Sequence, residues 1–174
     1  MIINKCTSLL DYFEVRIVAN HIVLYQPEIP ANTGNIARTC AGTDTHLHLI
    51  RPLGFSTDDK MLKRAGLDYW EFVKITYYDS IDEFFEKNKD GEYFFIETYT
   101  DKLYTSYDYS DTTKDYYFIF GRETTGLPRE LLNEYQDRFL KIPMTTNVRS
   151  LNLSNTAAIL IYEALRQQNF LHLK

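Results

Sequence analysis

Short apolar runs alternate with segments of helical periodicity along most of the chain. Runs of mostly apolar residues predict strands, and they occupy 21–26, 47–51, 71–77, 93–98, 116–120 and 139–142. Apolar positions at helical spacing, with start and stop signals, predict helices, and these occupy 34–42, 58–65, 81–88, 128–135 and 153–168. Asn32 or Thr33 is placed to cap the first helix, and Ser80 the third. This alternation of strands and helices indicates an α/β fold.

The chain length and the first residues define the predicted domain organisation. A chain of 174 residues favours one domain with a sizeable core. Irregular sequence meets the first predicted strand near Asn20. We therefore predict a single domain over 21–174, preceded by an N-terminal extension over 1–20 that packs loosely or is disordered.

The net charge of −5 is unusual for a protein that binds nucleic acid. The acidic excess lies in 75–120, which holds 4 Lys and Arg residues against 11 Asp and Glu residues. The rest of the chain holds 15 against 13, a net charge of +2. We interpret the acidic block as a solvated surface, and a basic face outside it is compatible with the composition.

Cysteine use and hydropathy favour the cytoplasm. Cys6 and Cys40 do not make a disulfide framework, so we expect free thiols in a reducing compartment. No apolar run approaches the roughly 20 residues of a membrane span, and charged residues interrupt the first segment, which lacks a cleavage site. We therefore expect a soluble cytoplasmic protein that makes no contact with a membrane.

The histidines give no sign of a metal site. None stands at metal-ligand spacing with a cysteine. His46 and His48 alternate on one predicted strand, and we interpret them as surface residues or as hydrogen-bonded core residues. The sequence therefore predicts no bound metal.

Three stretches carry residue choices that a plain scaffold does not explain. The first is PEIPANTGNIARTC at 27–40, which passes from a strand through a proline-rich turn into a helix. The free N–H groups at the amino end of a helix suit a phosphate or another anion, and Arg38 is predicted within about the first turn. The alternative is a plain turn in which Asn32 caps the helix and Arg38 is solvated.

The second stretch is FGRETTGLP at 120–128, where a predicted strand ends at Gly121. Ligands of open α/β sheets bind outside the carboxyl ends of strands, and Gly121 would let a ligand approach the backbone. The third is IPMTTNVRSLNLSNTAAILIYEALR at 142–166, where a polar loop precedes the last helix. The simpler alternatives are a glycine-punctuated loop and a loop whose Asn152 or Ser154 caps that helix.

Taken in order and at this spacing, the three stretches resemble the three motifs of the SPOUT methyltransferases. PEIPANTGNIARTC is similar to the first motif, FGRETTGLP to the second and IPMTTNVRSLNLSNTAA to the third, while DDKMLKRAGLDYW at 58–70 is similar to a further family segment. The match is closest to the small bacterial subfamily that 2′-O-methylates the wobble nucleotide of tRNA, and it runs from about 21 to 168. It implies a doubly wound, mostly parallel α/β sheet whose C-terminal segment threads a trefoil knot.

The resemblance also implies a cofactor, partners and site residues. The cofactor is S-adenosyl-L-methionine, held in a bent form by the knot loops, and the partners are tRNA and a second copy of the chain. The implied cofactor contacts are Ile96, Thr98, Gly121, Ile142, Ser150 and Leu151. The implied substrate contacts are Asn32, Glu123 and Asn152, and Ser150 is a further candidate to orient the ribose. A homodimer would pack the C-terminal knot helices together through an apolar face of Ile159, Ile161, Tyr162 and Leu165, although burial of this face within one subunit fits the same spacing.

The implied activity is S-adenosylmethionine-dependent 2′-O-methylation of a wobble cytidine or modified uridine in tRNA of the leucine type. Arg38 matches the arginine of the first motif and is the predicted catalytic residue. A guanidinium is too basic for a general base at neutral pH, so we expect it to stabilise the developing alkoxide or to grip the adjacent phosphate. This chemistry needs no metal.

Three other functions compete with this one. A 2′-O-methyltransferase of ribosomal RNA is disfavoured because no added RNA-binding domain is visible. A non-catalytic knotted module that binds RNA or a nucleotide is disfavoured because Arg38, Glu123 and Asn152 are all present. An NAD-binding oxidoreductase is disfavoured because the chain lacks the GxGxxG fingerprint.

Overall fold

Six parallel strands form one sheet in the computed structural model, which describes residues 20–56, 67–171 and 173–174. The strands are β1 (Asn20–Tyr25), β2 (His46–Ile50), β3 (Ile75–Tyr78), β4 (Glu92–Ile96), β5 (Tyr116–Phe120) and β6 (Phe139–Leu140). Their order across the sheet is β3-β2-β1-β5-β4-β6, and every pair is parallel. The predicted α/β fold with a mostly parallel sheet is therefore confirmed.

In the part of the chain that the structure describes, four α-helices and three 3₁₀ turns lie between the strands or after the last of them. The helices are α1 (Pro30–Thr43), α2 (Ile81–Lys87), α3 (Arg129–Glu134) and α4 (Leu153–Gln167). The 3₁₀ turns are Leu67–Phe72, Tyr104–Ser106 and Gln136–Arg138. Within the described ranges, no helix is both long and apolar enough to cross a membrane.

Both faces of the sheet are buried, because successive side chains of a strand point to opposite faces. On β5, Phe118 and Phe120 pack into the cluster that α1 and α4 cover, whereas Tyr117 and Ile119 pack into the cluster that α2 and α3 cover. The fully apolar strand runs of the sequence are thus explained by helices on both faces.

The strand order reverses direction between two neighbouring strands, β1 and β5. From β1 the chain moves outward through β2 to β3, and it then returns to the other side to form β4, β5 and β6. Loops that leave the carboxyl ends of strands on either side of such a switch point diverge and open a crevice. The fold therefore places a crevice where the first two motif stretches begin.

Two predicted boundaries were wrong for identifiable reasons. Helix α1 begins at Pro30 rather than at residue 34, because proline suits the first position of a helix and the extended N-cap residue is Ile29. Asn32 and Thr33 therefore lie inside the helix and do not cap it. Strand β3 begins at Ile75, because the residues before it form the 3₁₀ turn Leu67–Phe72.

Other local predictions are confirmed. The Ser80 hydroxyl accepts a hydrogen bond from the Glu83 backbone N–H at 3.1 Å and caps α2. The five apolar positions at helical spacing in α4 are all buried: Ala157, Leu160, Ile161, Ala164 and Leu165. Because Ile161 and Leu165 are covered within the chain, they do not belong to a free dimer face, whereas Tyr162 is 51% exposed.

Some predictions fall on residues outside the described ranges. These are the extension up to residue 19 with Cys6, and the helix predicted at 58–65. Cys40 lies within the described part, as a buried free thiol whose pKa is raised by burial.

Candidate active site

A cavity of about 340 Å³ lies at the carboxyl ends of β4, β5 and β6, beside the start of α1. Its size falls within the roughly 300–1,000 Å³ of sites for small molecules and cofactors. Nine of the ten site residues predicted from the sequence line it: Asn32, Ile96, Thr98, Gly121, Glu123, Ile142, Ser150, Leu151 and Asn152. The three motif stretches, which are far apart in sequence, therefore meet at one cavity.

The carboxylate of Glu123 joins the second stretch to the first. It accepts hydrogen bonds from the backbone N–H of Glu28 at 2.9 Å and of Ile29 at 3.3 Å, and from Asn32 Nδ2 at 3.0 Å. Hydrogen bonds to an ionised group are stronger than those between neutral groups. Glu123 thus fixes the loop after β5 against the amino end of α1.

A second carboxylate, that of Glu28, makes the corresponding contact in the opposite direction. Glu28 Oε2 accepts hydrogen bonds from the backbone N–H of Thr124 at 3.1 Å and from its hydroxyl at 2.7 Å. The two loops therefore exchange acidic side chains, so that each carboxylate binds the backbone of the other loop. This reciprocal arrangement holds the β1–α1 turn and the β5 loop in one relative position.

Asn32 extends the same network to the third stretch. Its Oδ1 accepts a hydrogen bond from Asn152 Nδ2 at 3.0 Å, and Asn152 Oδ1 accepts from the Ser154 backbone N–H at 2.9 Å. Asn152 is thereby the N-cap of α4, as the simpler alternative for this loop predicted. The chain of contacts from Glu123 through Asn32 to Asn152 links all three stretches.

The backbone around Gly121 forms a tight loop of its own. Arg122 and Gly126 exchange two backbone hydrogen bonds of 3.1 and 3.0 Å, and Gly126 has a φ of 70°. A β-carbon on Gly121 would collide with the backbone of Gly126 and Leu127. The loop itself therefore requires glycine here, which replaces our interpretation that Gly121 chiefly leaves room for a ligand.

Glu97 is a cavity residue that the sequence analysis missed. It lines the cavity next to Ile96 and Thr98, and its Oε1 accepts a hydrogen bond from the Leu127 backbone N–H at 2.8 Å. Burial raises the pKa of its carboxyl group. An acidic residue directly after an apolar strand is the signal that would have identified it.

Arg38 is the one predicted site residue that does not line the cavity. It lies in the third turn of α1 rather than the first, because the helix begins at Pro30. Its side chain is exposed, and its guanidinium carbon is 5.0 Å from the ring centroid of Tyr69. With a rise of about 1.5 Å per residue, it sits roughly 9 Å along the helix axis from Asn32.

Comparisons with known proteins agree with this architecture. The sequence model of the SpoU rRNA Methylase family matches residues 19–162. A protein of Bacillus subtilis, named as a candidate tRNA (cytidine(34)-2′-O)-methyltransferase, is 68% identical over 160 residues, which are 92% of this chain and 100% of that protein.

Two solved structures are similar over nearly the whole chain. One, a candidate RNA methyltransferase from Bacillus anthracis, has a TM-score of 0.86 and 72% identity and covers 90% of this chain and 98% of its own. The other, described under the 2-OH methylation of C/U34 on tRNA, has a TM-score of 0.81 and 42% identity and covers 88% and 98%.

The Glu123 network generates a stability prediction. Glu123→Gln keeps the shape of the side chain but removes its charge and turns an amide N–H₂ toward N–H donors. We expect a loss of about 1–3 kcal/mol in the free energy of unfolding, the range for hydrogen bonds to charged groups. Denaturant unfolding followed by circular dichroism measures it.

Glu86→Gln is the matched control, because Glu86 is exposed on α2 and lies far from the cavity. We expect it to change the free energy of unfolding by less than about 0.5 kcal/mol. Equal stability of the two variants would contradict the assigned role of Glu123.

Proposed function

The chain belongs to the SpoU rRNA Methylase family, and we propose that it transfers a methyl group from S-adenosylmethionine to the 2′-hydroxyl of the wobble nucleotide of tRNA. The observation that carries this proposal is the hydrogen-bonded meeting of Glu123, Asn32 and Asn152 at one cavity. The name of the B. subtilis relative and the neighbour described for C/U34 support tRNA as the substrate. We infer a cytidine or modified uridine of a leucine-type anticodon, and the cytoplasm as the compartment.

We infer that the cofactor occupies the inner part of the cavity. The wall is apolar at Ile96, Ile142 and Leu151 and also contains the turns at Thr98 and Gly121, where a ligand can meet main-chain groups. Mostly apolar walls with a few polar groups suit an adenine and its ribose. When bound, S-adenosylmethionine supplies an electrophilic methyl group on a sulfonium.

The polar side of the cavity is where the acceptor ribose is held in this proposal. Asn32, Glu123, Ser150 and Asn152 all line it, and three of them are fixed by the network that joins the loops. Prefixed side chains orient a hydroxyl without further cost in entropy at the moment of reaction. These residues position the ribose. A nearby cation would stabilise the negative charge that develops on its 2′-oxygen during methyl transfer.

Arg38 meets that charge from outside the cavity. Its exposed side chain lies beside the cavity, where it can reach a substrate that extends out of the cavity along α1, as an RNA strand does. A guanidinium can bind a phosphate through two parallel hydrogen bonds and can stabilise an alkoxide. We propose that Arg38 acts in one of these ways and not as a general base.

The charge distribution supports an RNA substrate despite the net charge of −5. Acidic residues of the 75–120 block pair with cations, as Asp79 does with Arg51 and Glu92 with Arg138. Among the described residues, Arg166 at the end of the third stretch pairs with Glu163, whereas no ion pair involves Arg38, Arg122 or Arg149, which lie one in each motif stretch. These side chains can therefore bind phosphates, which position the nucleic acid.

We further propose the knot and the homodimer that the resemblance implies. Strand β6 is at the edge of the sheet, yet α4 returns to pack against α1 and β1 near its centre. This return supports a path in which the C-terminal segment threads a trefoil knot. On the solvent side of α4, Tyr162 is 51% exposed and marks the face where a second copy would pack.

Methylation of bulk tRNA tests the function directly. With labelled S-adenosylmethionine, we expect label in tRNA and, after digestion, in a 2′-O-methylated nucleoside at the wobble position. Ribosomal RNA is the matched alternative substrate. Label in ribosomal RNA alone would establish the competing enzyme function, and label in neither would favour a non-catalytic binding module.

Arg38→Ala tests whether Arg38 acts on the substrate rather than on the cofactor. We expect it to fold and to bind S-adenosylmethionine like the parent, while the methylation rate falls by about two orders of magnitude or more, as when a charge-stabilising donor is removed. Arg38→Lys should restore only part of the rate, because an ammonium cannot form a bidentate fork. Single-turnover kinetics and calorimetry provide the two measurements.

Arg138→Ala is the control, because that guanidinium also lies over an aromatic ring, 5.4 Å from the Phe94 centroid. Arg138 lies at the amino ends of β4 and β6, whereas the cavity lies at their carboxyl ends. The control variant should methylate at the parent rate. If both Arg38 variants also do so, Arg38 is a solvated helix residue and the catalytic assignment moves to Glu123, Ser150 or Asn152.

Tyr162→Glu tests the dimer. A carboxylate at the centre of an apolar interface should dissociate the protein, so that sedimentation at micromolar concentration changes from a dimer to a monomer. Phe72→Glu is the control, since Phe72 is 69% exposed and belongs to the 3₁₀ turn Leu67–Phe72, which packs against α1. A monomeric and active parent protein would refute the proposed assembly.

A further inference from the structure

Three histidines lie close together on one face of the sheet, near the amino ends of β1 and β2, whereas the cavity lies at the carboxyl ends of the strands. His21 of β1 is in register with His46 of β2, and His48 follows two residues later, so all three side chains point to the face that α2 covers. His21 is 6% exposed and His48 2% exposed, whereas His46 is half-buried. The sequence shows no metal-ligand spacing, because the cluster comes from two strands whose paired residues His21 and His46 are 25 positions apart.

The ring nitrogens of the cluster are close enough to share one ion. One nitrogen of each histidine lies within 4.8 Å of those of the other two. His21 Nδ1 and His48 Nε2 are 2.8 Å apart. Three nitrogens bound tetrahedrally at about 2.0–2.1 Å from a zinc ion lie roughly 3.3–3.4 Å from one another. An ion therefore requires the His21–His48 pair to open by about half an ångström and the His46 nitrogen, which lies within 4.8 Å of the other two, to move closer to them.

The other nitrogens of the three rings face oxygen atoms. His46 Nε2 is 2.9 Å from Thr76 Oγ1, and His48 Nδ1 is 2.8 Å from the Tyr78 hydroxyl. His21 Nε2 is 3.9 Å from the Asp115 carboxylate. Metal-binding histidines typically hold an oxygen group with the second nitrogen, which fixes the ring and its tautomer.

Aromatic side chains enclose the buried members of the cluster. The Tyr117 ring stacks on His21 at 4.1 Å between centroids, and Phe84 contacts His48 edge-on. The rings of His21 and His48 thus lie in an aromatic shell.

We propose that His21, His46 and His48 bind one transition-metal ion of the zinc class through His21 Nδ1, His46 Nδ1 and His48 Nε2, with water as the fourth ligand. Three histidines and a water form a known tetrahedral zinc set. The ion takes the place of the proton between His21 and His48, and the ring that carried that proton stays neutral by holding it on its other nitrogen, Nε2 of His21 or Nδ1 of His48. It enters beside His46, which is the ligand that solvent reaches.

The position of this site assigns it a structural role. Strands rise about 3.3 Å per residue, so His21 lies roughly 13 Å from the carboxyl end of β1 at Tyr25, where the cavity begins. An ion at that distance takes no part in the transfer of a methyl group. It would cross-link β1 to β2 at their amino ends and stabilise the folded chain, because the ligands converge only after folding.

Calorimetric titration of the chelator-treated protein with Zn²⁺ tests the proposal. We expect one ion per chain, bound at micromolar concentration or tighter, and a higher melting temperature in excess Zn²⁺. His46→Ala removes the most exposed ligand, so its fold should survive, and its affinity should fall at least tenfold. His172→Ala is the control, because it removes the one other histidine of the chain and should bind like the parent.

Two further measurements test the proposal even if the His46→Ala variant does not fold. Thr76→Val leaves every ligand in place and removes only the oxygen partner of His46, so Zn²⁺ affinity should fall several-fold. Co²⁺ in the parent should give the intense visible absorption of a tetrahedral site. Equal Zn²⁺ affinity of the parent and His46→Ala, no binding by the parent, or the weak spectrum of octahedral Co²⁺ would each overturn the proposal. Chelation should leave tRNA methylation unchanged, so this outcome is independent of the proposed function.

Discussion

The carboxylate of Glu123 receives three hydrogen bonds from the turn between β1 and α1, and the shape of the site depends on that contact. A negative charge at the amino end of a helix is stabilised by the helix dipole and by the N–H groups exposed there. A cap from the preceding residues would fix α1 locally. A cap from Glu123 fixes it to the loop of the neighbouring strand, so the helix and the cavity wall cannot move independently.

Asn32 turns this pairwise contact into a junction of three segments. Its amide donates to Glu123 and accepts from Asn152, so both of its polar ends are used within the protein. The parallel sheet makes this possible, because it delivers the ends of β1, β5 and β6 to one edge. Residues more than a hundred positions apart then form a network whose members constrain one another.

The sequence allowed the strands and the meeting of the motifs to be predicted, but not the contacts that join them. All six strands were found because both sheet faces are covered, which makes the strand runs almost wholly apolar. The start of α1 was misplaced because Asn32 looks like a capping residue, whereas its partner Glu123 is 91 positions away. Pro30 was the local signal for the true start. The site residues came from the family resemblance, and nine of them line the cavity. Arg38 lies outside it, in the third turn of a helix whose start the pattern did not reveal.

The two ends of the parallel strands hold polar side chains in opposite environments, one open to solvent and one buried. At the carboxyl edge, polar side chains must remain accessible, so they are held by one another and by loop backbone around an open cavity. At the amino edge, His21 and His48 are buried among aromatic rings, where a charged imidazole would carry a large desolvation cost. Neutral histidines avoid that cost through hydrogen bonds to each other and to Tyr78. A divalent ion would bring charge back into this region, and Asp115 beside His21 is the group that can balance part of it.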